Sequence, residues 1–416
     1  MIKFLKITLI SILLLISLSI LLLSTRGLET DRFNNFIIQK IQKKNNQIDV
    51  SLKKIKIKLD IQNINLFLST KNPEITIQDI NIPINDLQIY INFVSLLKSK
   101  VNINKIKIDY DFIDAKTIKK VIVETKPTSL KSFVFNNITQ GRVKGNLLIN
   151  FEDNFQISNY EANGKVDQLN INLPNKIKVE KINFQFNLNK DLVLINSLNS
   201  KVKDIIITEG SLNIERKKEL IVSGTAYTKV NLDHVKIKEY PLIDNDNNFL
   251  KNKIKFEGNI FNEFDLTFTN TLEVKNYKYE AKSESNKFEI IFKEPIKSSL
   301  LDDNIDIFKA NNTKIKFFLA KKENNFFNIE GNYKLNNDDI SKFKIVNNFT
   351  KNKSELKIDF DFKQFLKIDI LNYKKEKNKV SKIFADLSII NNKLNIKNFK
   401  YSEDKTFISF KNALFE

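Results

Sequence analysis

The sequence predicts a mainly β protein, in which one N-terminal transmembrane helix precedes a long antiparallel β-sheet with a few short helices. Three observations predict it. Ile7 to Leu23 is an unbroken run of apolar residues and serines. From Val50 onward apolar and polar residues alternate with the two-residue period that sends successive side chains to opposite faces of a strand. Segments with helical spacing are few and short beyond the N-terminal region.

The run "ITLISILLLISLSILLL" follows Lys3 and Lys6 and precedes "STRG". As a helix rising about 1.5 Å per residue, it nearly matches, with its flanks, a hydrocarbon core about 30 Å thick. A cleaved signal peptide has a shorter apolar region and a small-x-small cleavage site. Neither is clear here, so residues 1–26 read as an uncleaved membrane anchor. Arg26, Arg32, Lys40, Lys43 and Lys44 outnumber the lysines before the span, but long domains translocate despite such charge, so charge alone does not set the topology. Behind Thr30 or Asp31 as cap, Phe33, Phe36, Ile37 and Ile41 recur at helical spacing. Residues 27–48 are therefore expected to form an amphipathic helix that lies at the membrane interface, plugs the end of the β-structure, or both.

In "SLKKIKIKLDIQNINLFLST", Ile55, Ile57, Leu59 and Ile61 point one way and Lys56, Lys58, Asp60 and Gln62 the other. The pattern recurs at Leu87, Ile89, Ile91 and Phe93, at Ile182, Phe184, Phe186 and Leu188, at Phe264, Leu266 and Phe268, and at Leu356, Ile358, Phe360 and Phe362. Strands with one apolar face suit an antiparallel sheet; a parallel α/β sheet shows continuous apolar runs separated by long helices. Short helices are expected at Phe93 to Lys100 and Ala115 to Glu124. At roughly a dozen residues per strand and turn, the chain supplies ~25 to 30 strands. Soft boundaries at "VETKPTSLKS" and "EYPLIDNDNNFLKNK" divide the sheet into residues 49–126, 127–238 and 239–416.

Glycine (8) and proline (6) are scarce, so turns fall to Asn, Asp and Lys; Asn and Asp tolerate the left-handed backbone conformation that turns require. Gly141, Gly164, Gly210, Gly224, Gly258 and Gly331 each sit just before or within a strand pattern, where glycine relieves crowding at a bulge or bend. Their spacing is too irregular for a strict repeat and suggests one architecture repeated with variation.

The net charge of +19 is almost entirely lysine; Arg26, Arg32, Arg142 and Arg216 are the four arginines. Nucleic-acid surfaces cluster the planar arginine fork, whereas these lysines alternate along strands and crowd into turns, as a solvated face does. No nucleic acid is expected as a partner. The same charge is compatible with anionic lipid surfaces.

No cofactor, metal site or catalytic residue is legible. With no cysteine, disulfides, thiolate zinc sites and cysteine nucleophiles are out of reach. The single histidine, His234, lies in "NLDHVKIK", an ordinary strand or turn. "DNDNN" begins like a calcium loop, but Phe249 stands where that loop needs glycine and Lys255 where it needs glutamate. Neither a G-x-G-x-x-G nor a G-x-x-x-x-G-K-[ST] phosphate loop occurs. An enzyme is not expected.

The order of an N-terminal span, "STRGLETDRFNNFIIQKI", "VSLKKIKIKLDIQNINLFLSTKNPEITIQDINIPI" and "YINFVSLLKSKVNINKIKI" resembles the AsmA-like proteins, the TamB and YhdP group. "NNITQGRVKGNLLINFEDNFQISNYEANGKVDQLNINLP" resembles the repeated middle region of the YhdP branch. The likeness covers most of residues 1–232. It implies an inner-membrane-anchored periplasmic protein of a two-membraned bacterium, akin in design to bridge-like lipid transfer proteins. It also implies a sheet curled into an apolar groove that holds phospholipid acyl chains, with an outer-membrane partner at its far end. The groove-lining candidates are then the nineteen apolar residues of the five strand patterns above. Family members are often far longer, so a fragment or short form is expected. Periodicity by itself leaves a second architecture open, closed β-sandwiches that support outer-membrane assembly, because both produce the same alternation. A third reading is a surface-exposed adhesin-like β-protein.

Overall fold

In the computed structural model the apolar run forms α1 (Ile2–Thr25). The structure describes residues 2–31, 34–35, 38–39, 42, 48–63, 65–77, 80–91, 103–123, 129–152, 156–240, 248–269, 271, 273–391 and 393–415. The helix is apolar all round and its described side chains are exposed along almost its whole length, as suits a candidate membrane span. Hydroxyls within it donate to carbonyls one turn back, Thr8 to Phe4 at 2.9 Å and Ser19 to Leu15 at 2.8 Å, so these groups need nothing from lipid.

Gly27 ends the helix in the left-handed region (φ +74°), its N–H bonding the Leu22 carbonyl at 2.9 Å. A Cβ there would lie 2.8 Å from the Ile57 carbonyl oxygen. The chain turns directly into β1 (Leu28–Thr30), which pairs with β3 (Ile55–Asp60) through Leu28–Ile57 and Thr30–Ile55. The apolar helix is thereby tied to the first strands through β1. Of the expected amphipathic helix, Asn34, Asn35, Ile38, Gln39 and Gln42 are helical; Phe33, Phe36, Ile37 and Ile41 lie outside the described residues, as do Phe93 to Lys100.

The described residues form 24 strands, 22 of them in one antiparallel sheet and two in a separate hairpin. The chain divides into two compact units, Met1–Asn172 with Glu180–Asn196, and Leu173–Val179 with Ser197–Glu416. The division falls inside the segment read as 127–238.

In the first unit follow β2 (Ile48–Ser51), β4 (Asn65–Lys71), β5 (Glu74–Ile77), β6 (Ile80–Ile91), β7 (Ile103–Asp114), α2 (Ala115–Val123), α3 (Ser129–Asn137), β8 (Ile138–Phe151), β9 (Ile157–Leu173) and β10 (Ile177–Asn189). Pairing runs β1–β3–β4–β6–β7–β8–β9–β10. The first residues of β6 instead pair with β5, which pairs with β2. This detour lets Val50, Leu52, Ile55, Leu68, Ile84, Leu87, Ile89 and Ile91 close into a core of the chain's own side chains. α2 packs on β7 and β8, started by Asp114, whose carboxylate accepts from the Thr117 N–H at 2.7 Å. That bond holds the Asp114 carboxyl below the usual range.

Ile61 departs from its expected place. The Asp60 carboxylate accepts from the N–H groups of Gln62 (3.1 Å) and Asn63 (3.3 Å), an Asx turn that ends β3 one residue before the alternation does. Ile61 sits in that turn, 57% exposed.

After β11 (Leu192–Val202), the second unit contains β12 (Ile205–Arg216), β13 (Leu220–Asp233), α4 (His234–Lys238), β14 (Lys253–Phe268), β15 (Val274–Ile296), β16 (Ile305–Ala320), β17 (Asn325–Leu335), β18 (Ser341–Phe349) and β19 (Lys353–Phe362). It ends with β20 (Leu366–Ile368), β21 (Tyr373–Lys375), β22 (Ser381–Ile390), β23 (Lys393–Glu403) and β24 (Thr406–Phe415). Neighbours in sequence pair as an antiparallel meander, except that β19 pairs directly with β22 and leaves β20–β21 outside as a hairpin. Asn336, Asn372, Asn378, Asn391 and Asp404 take the left-handed turn positions, the work expected of Asn and Asp in a glycine-poor chain.

Candidate functional site

In the second unit the register carries apolar residues from strand to strand on one face. One row runs Ser283, Ile315, Ile329, Ile345, Ile358, Ala385, Phe399, Phe410 across β15 to β24. Beside it runs Ala281, Phe317, Phe327, Asn347, Leu356, Leu387, Ile396, Ala413. Directly opposed residues share a face, so the first row is apolar from Ile315 to Phe410 and the second is apolar except at Asn347.

The other face carries the charges. Lys309 meets Glu289 at 3.3 Å, Lys344 meets Glu330 at 3.7 Å, and Glu355 takes both Lys353 and Lys397 at 2.9 Å. The two lysines hold the Glu355 carboxyl down at about 2. A depression of about 490 Å³ on this face is lined by Lys314, Lys342, Lys344 and Lys382 with Glu330, Asp359 and Asp361. Its charges nearly balance, and nothing there selects a ligand.

One line of irregularities bends the apolar face. The pairings of β14 with β15, β15 with β16 and β16 with β17 all shift register, at Glu257/Asn259, around Asn286 and at Asn311/Lys314, with the extra residues on the adjacent strands β15 and β16. Bulges bend the strands that carry them and raise their twist, so the neighbouring bulges of β15 and β16 curl the sheet there. At the bend Asn286 is fully buried; it donates to the Thr313 carbonyl at 2.8 Å and accepts from the Ser283 hydroxyl at 2.5 Å. Gly258 makes room for it, since a Cβ there would fall 1.9 Å from Asn286 Oδ1. On one side of the bend Ala310, Tyr333 and Phe343 form a packed cluster, against which Phe288, Phe308, Ile329, Leu335, Ile345 and Phe360 pack. Phe308 stacks on Tyr333 at 5.7 Å, and burial pushes the Tyr333 phenol up.

On the other side the face stays open. Ile315, Ile358, Leu356, Leu387 and Phe399 are half-buried, although a facing sheet would bury such residues fully.

The candidates from sequence separate into two groups. Phe264, Leu266, Phe268, Leu356 and Ile358 lie half-buried on the open face, with Phe264 and Leu266 opposite Tyr279 and Tyr277, whereas Phe360 packs against the cluster of Ala310, Tyr333 and Phe343. Phe362, also on this face, is 8% exposed beneath the β20–β21 hairpin, where the Lys375 amine sits 5.6 Å from its ring centre. In the first unit Ile55, Leu87, Ile89 and Ile91 are consumed by the closed core, and Ile57 packs against it. Leu59 faces Leu66 within the β3–β4 hairpin. Ile182 and Phe186 are buried, Phe184 packs edge-on against Phe186 at 6.5 Å, and Leu188 is half-buried. Phe93 lies outside the described residues. Sequence reasoning missed Ser283, Asn286 and Thr313, the polar hinge of the apolar face; the signal was a polar "SESN" interrupting the alternation of β15.

His234 opens α4, whose N-cap Asp233 accepts from the N–H groups of Val235 and Lys236 at 3.0 Å each. Among the described residues no group of three or more His, Asp or Glu side chains is placed to hold a metal ion. The chain matches no family model, no curated protein and no solved structure.

Proposed function

We propose that this protein handles lipid: α1 holds it in a bacterial inner membrane, the bulk stands in the periplasm, and the open apolar face cradles phospholipid acyl chains on their way between inner and outer membranes. The observation that supports this most is the pair of apolar rows across β15 to β24, half-exposed and aligned from strand to strand. An acyl chain laid on them keeps about 0.8 kcal/mol per methylene of burial as it moves, so no step exposes it fully to water. The mechanism is passive and needs no catalytic residue. The resemblance to the AsmA-like proteins supports the compartment and the two-membrane setting.

The closed core formed by β2 to β7 favours a second reading, in which β-layers serve as a scaffold for outer-membrane assembly. Native mass spectrometry and lipid extraction of the detergent-purified chain separate the two. The conduit requires phospholipid above the detergent background; a lipid-free chain supports the scaffold.

A further inference from the structure

The β20–β21 hairpin does no work in the sheet and is nonetheless held in place. Lys375 is buried at its base and donates to the Gln364 carbonyl at 2.7 Å and the Glu376 carbonyl at 3.2 Å. The Tyr373 and Tyr401 hydroxyls meet at 2.8 Å. The Lys367 N–H bonds the Leu300 carbonyl at 2.9 Å, and Lys377 reaches Asp303 and Asp338 at 3.1 Å each. These ties present the tip, Asp369–Leu371, in a fixed position.

At that tip Ile370 is 93% exposed and Leu371 54%. Among the described residues no large hydrophobic side chain is more exposed than Ile370, those of α1 included. Behind the tip Lys367 and Lys374 stand directly opposite each other, a like-charge pair that weakens a hairpin. Asp369 meets Lys367 at 2.8 Å, and Lys374 lies over the Phe365 ring at 5.4 Å. Residues 363–380 hold six lysines against two carboxylates; Lys375 is buried and Lys377 pairs with Asp303 and Asp338, which leaves Lys363, Lys367, Lys374 and Lys379 against Asp369 and Glu376. An aliphatic tip backed by surplus cations matches the two layers of an anionic bilayer surface, apolar below and phosphate above.

We propose that this hairpin is a membrane-contacting finger that dips Ile370 and Leu371 into the interface of an anionic bilayer while Lys367 and Lys374 meet lipid phosphates. The finger is independent of whether the apolar face carries lipid.

The chain has no tryptophan, so Ile370→Trp installs a unique reporter. The full-length variant is reconstituted through its N-terminal helix into vesicles of phosphatidylcholine and phosphatidylglycerol in equal parts, with brominated acyl chains as quencher. The control is Val274→Trp, 50% exposed at the start of the 23-residue β15, whose other end leads to the turn that holds the hairpin. The expected result is a blue-shifted Ile370→Trp emission that loses about half its intensity to the quencher, with Val274→Trp unchanged. Phosphatidylcholine alone or high salt should weaken the quenching. Absent quenching at position 370, equal quenching at both positions, or undiminished quenching in phosphatidylcholine alone would overturn the proposal.

Discussion

The buried amine of Lys375 donates to the Gln364 carbonyl oxygen at 2.7 Å and also to that of Glu376, and among the described residues it makes no ion pair with a carboxylate. Burial, assisted by Lys379, lowers its pKa from the ordinary 10.5 to about 8. Between these values the unfolded chain binds the proton that the native hairpin sheds, so stability rises with pH from about 8 to 10.5. A melting-temperature series across that window should climb, and Lys375→Met should flatten the climb. A wild-type series that falls throughout contradicts this.

Glu355 acts in the opposite sense. Its carboxyl, held at about 2 by Lys353 and Lys397 against an ordinary 4.5, contributes stability above pH 4.5 that is lost as pH falls through about 2. NMR titration of the Glu355 carboxyl should show the low midpoint, and Lys397→Met should raise it toward 4.5.

At the bend, Asn286→Ala takes away the side-chain donor to the Thr313 carbonyl and one of the two acceptors of the Ser283 hydroxyl, which keeps the Asn259 carbonyl, and should cost about 1 to 3 kcal/mol in urea unfolding. Gly258→Ala overpacks the same spot, at a similar cost. Combined, the two should cost less than their sum, because the added methyl no longer meets the Asn286 oxygen.

Gly27→Val should loosen the anchor from the sheet. Its φ of +74° and the 2.8 Å approach to the Ile57 carbonyl both exclude a branched side chain; the left-handed conformation alone costs roughly 1 to 2 kcal/mol. Hydrogen exchange of the Leu28 to Thr30 amides reads the result, with faster exchange expected.

A charge on the open face tests the conduit directly. Leu356→Lys should cut co-purified phospholipid by about fivefold or more, because an ammonium in an acyl-lined site loses its hydration. Lys342→Gln on the polar face should leave lipid content unchanged, and the urea midpoints of both variants should stay near wild type.

Much of the fold was legible because its signals are local. The alternation Phe264, Leu266, Phe268 and Leu356, Ile358, Phe360, Phe362 marked strands and correctly grouped each set on one face. Ile61 was misplaced because a side-chain turn from Asp60 cut its strand short. The sorting of Ile55, Leu87, Ile89 and Ile91 into a closed core, apart from the open rows around Leu356 and Ile358, was not legible. It depends on β6 switching partners from β5 to β4, and a pairing choice leaves no mark on a two-residue period.

By itself the sequence determined an apolar N-terminal helix and a glycine-poor, antiparallel β-chain with one greasy face, because helix hydropathy and strand alternation are written within a few consecutive residues. Only the tertiary structure decided which parts of that face are covered, where Asn286 and Gly258 bend it, and that residues 363–380 leave the sheet as a hairpin with Ile370 at its tip. Those outcomes turn on which strands pair and in what register, a contest between residues far apart in the chain.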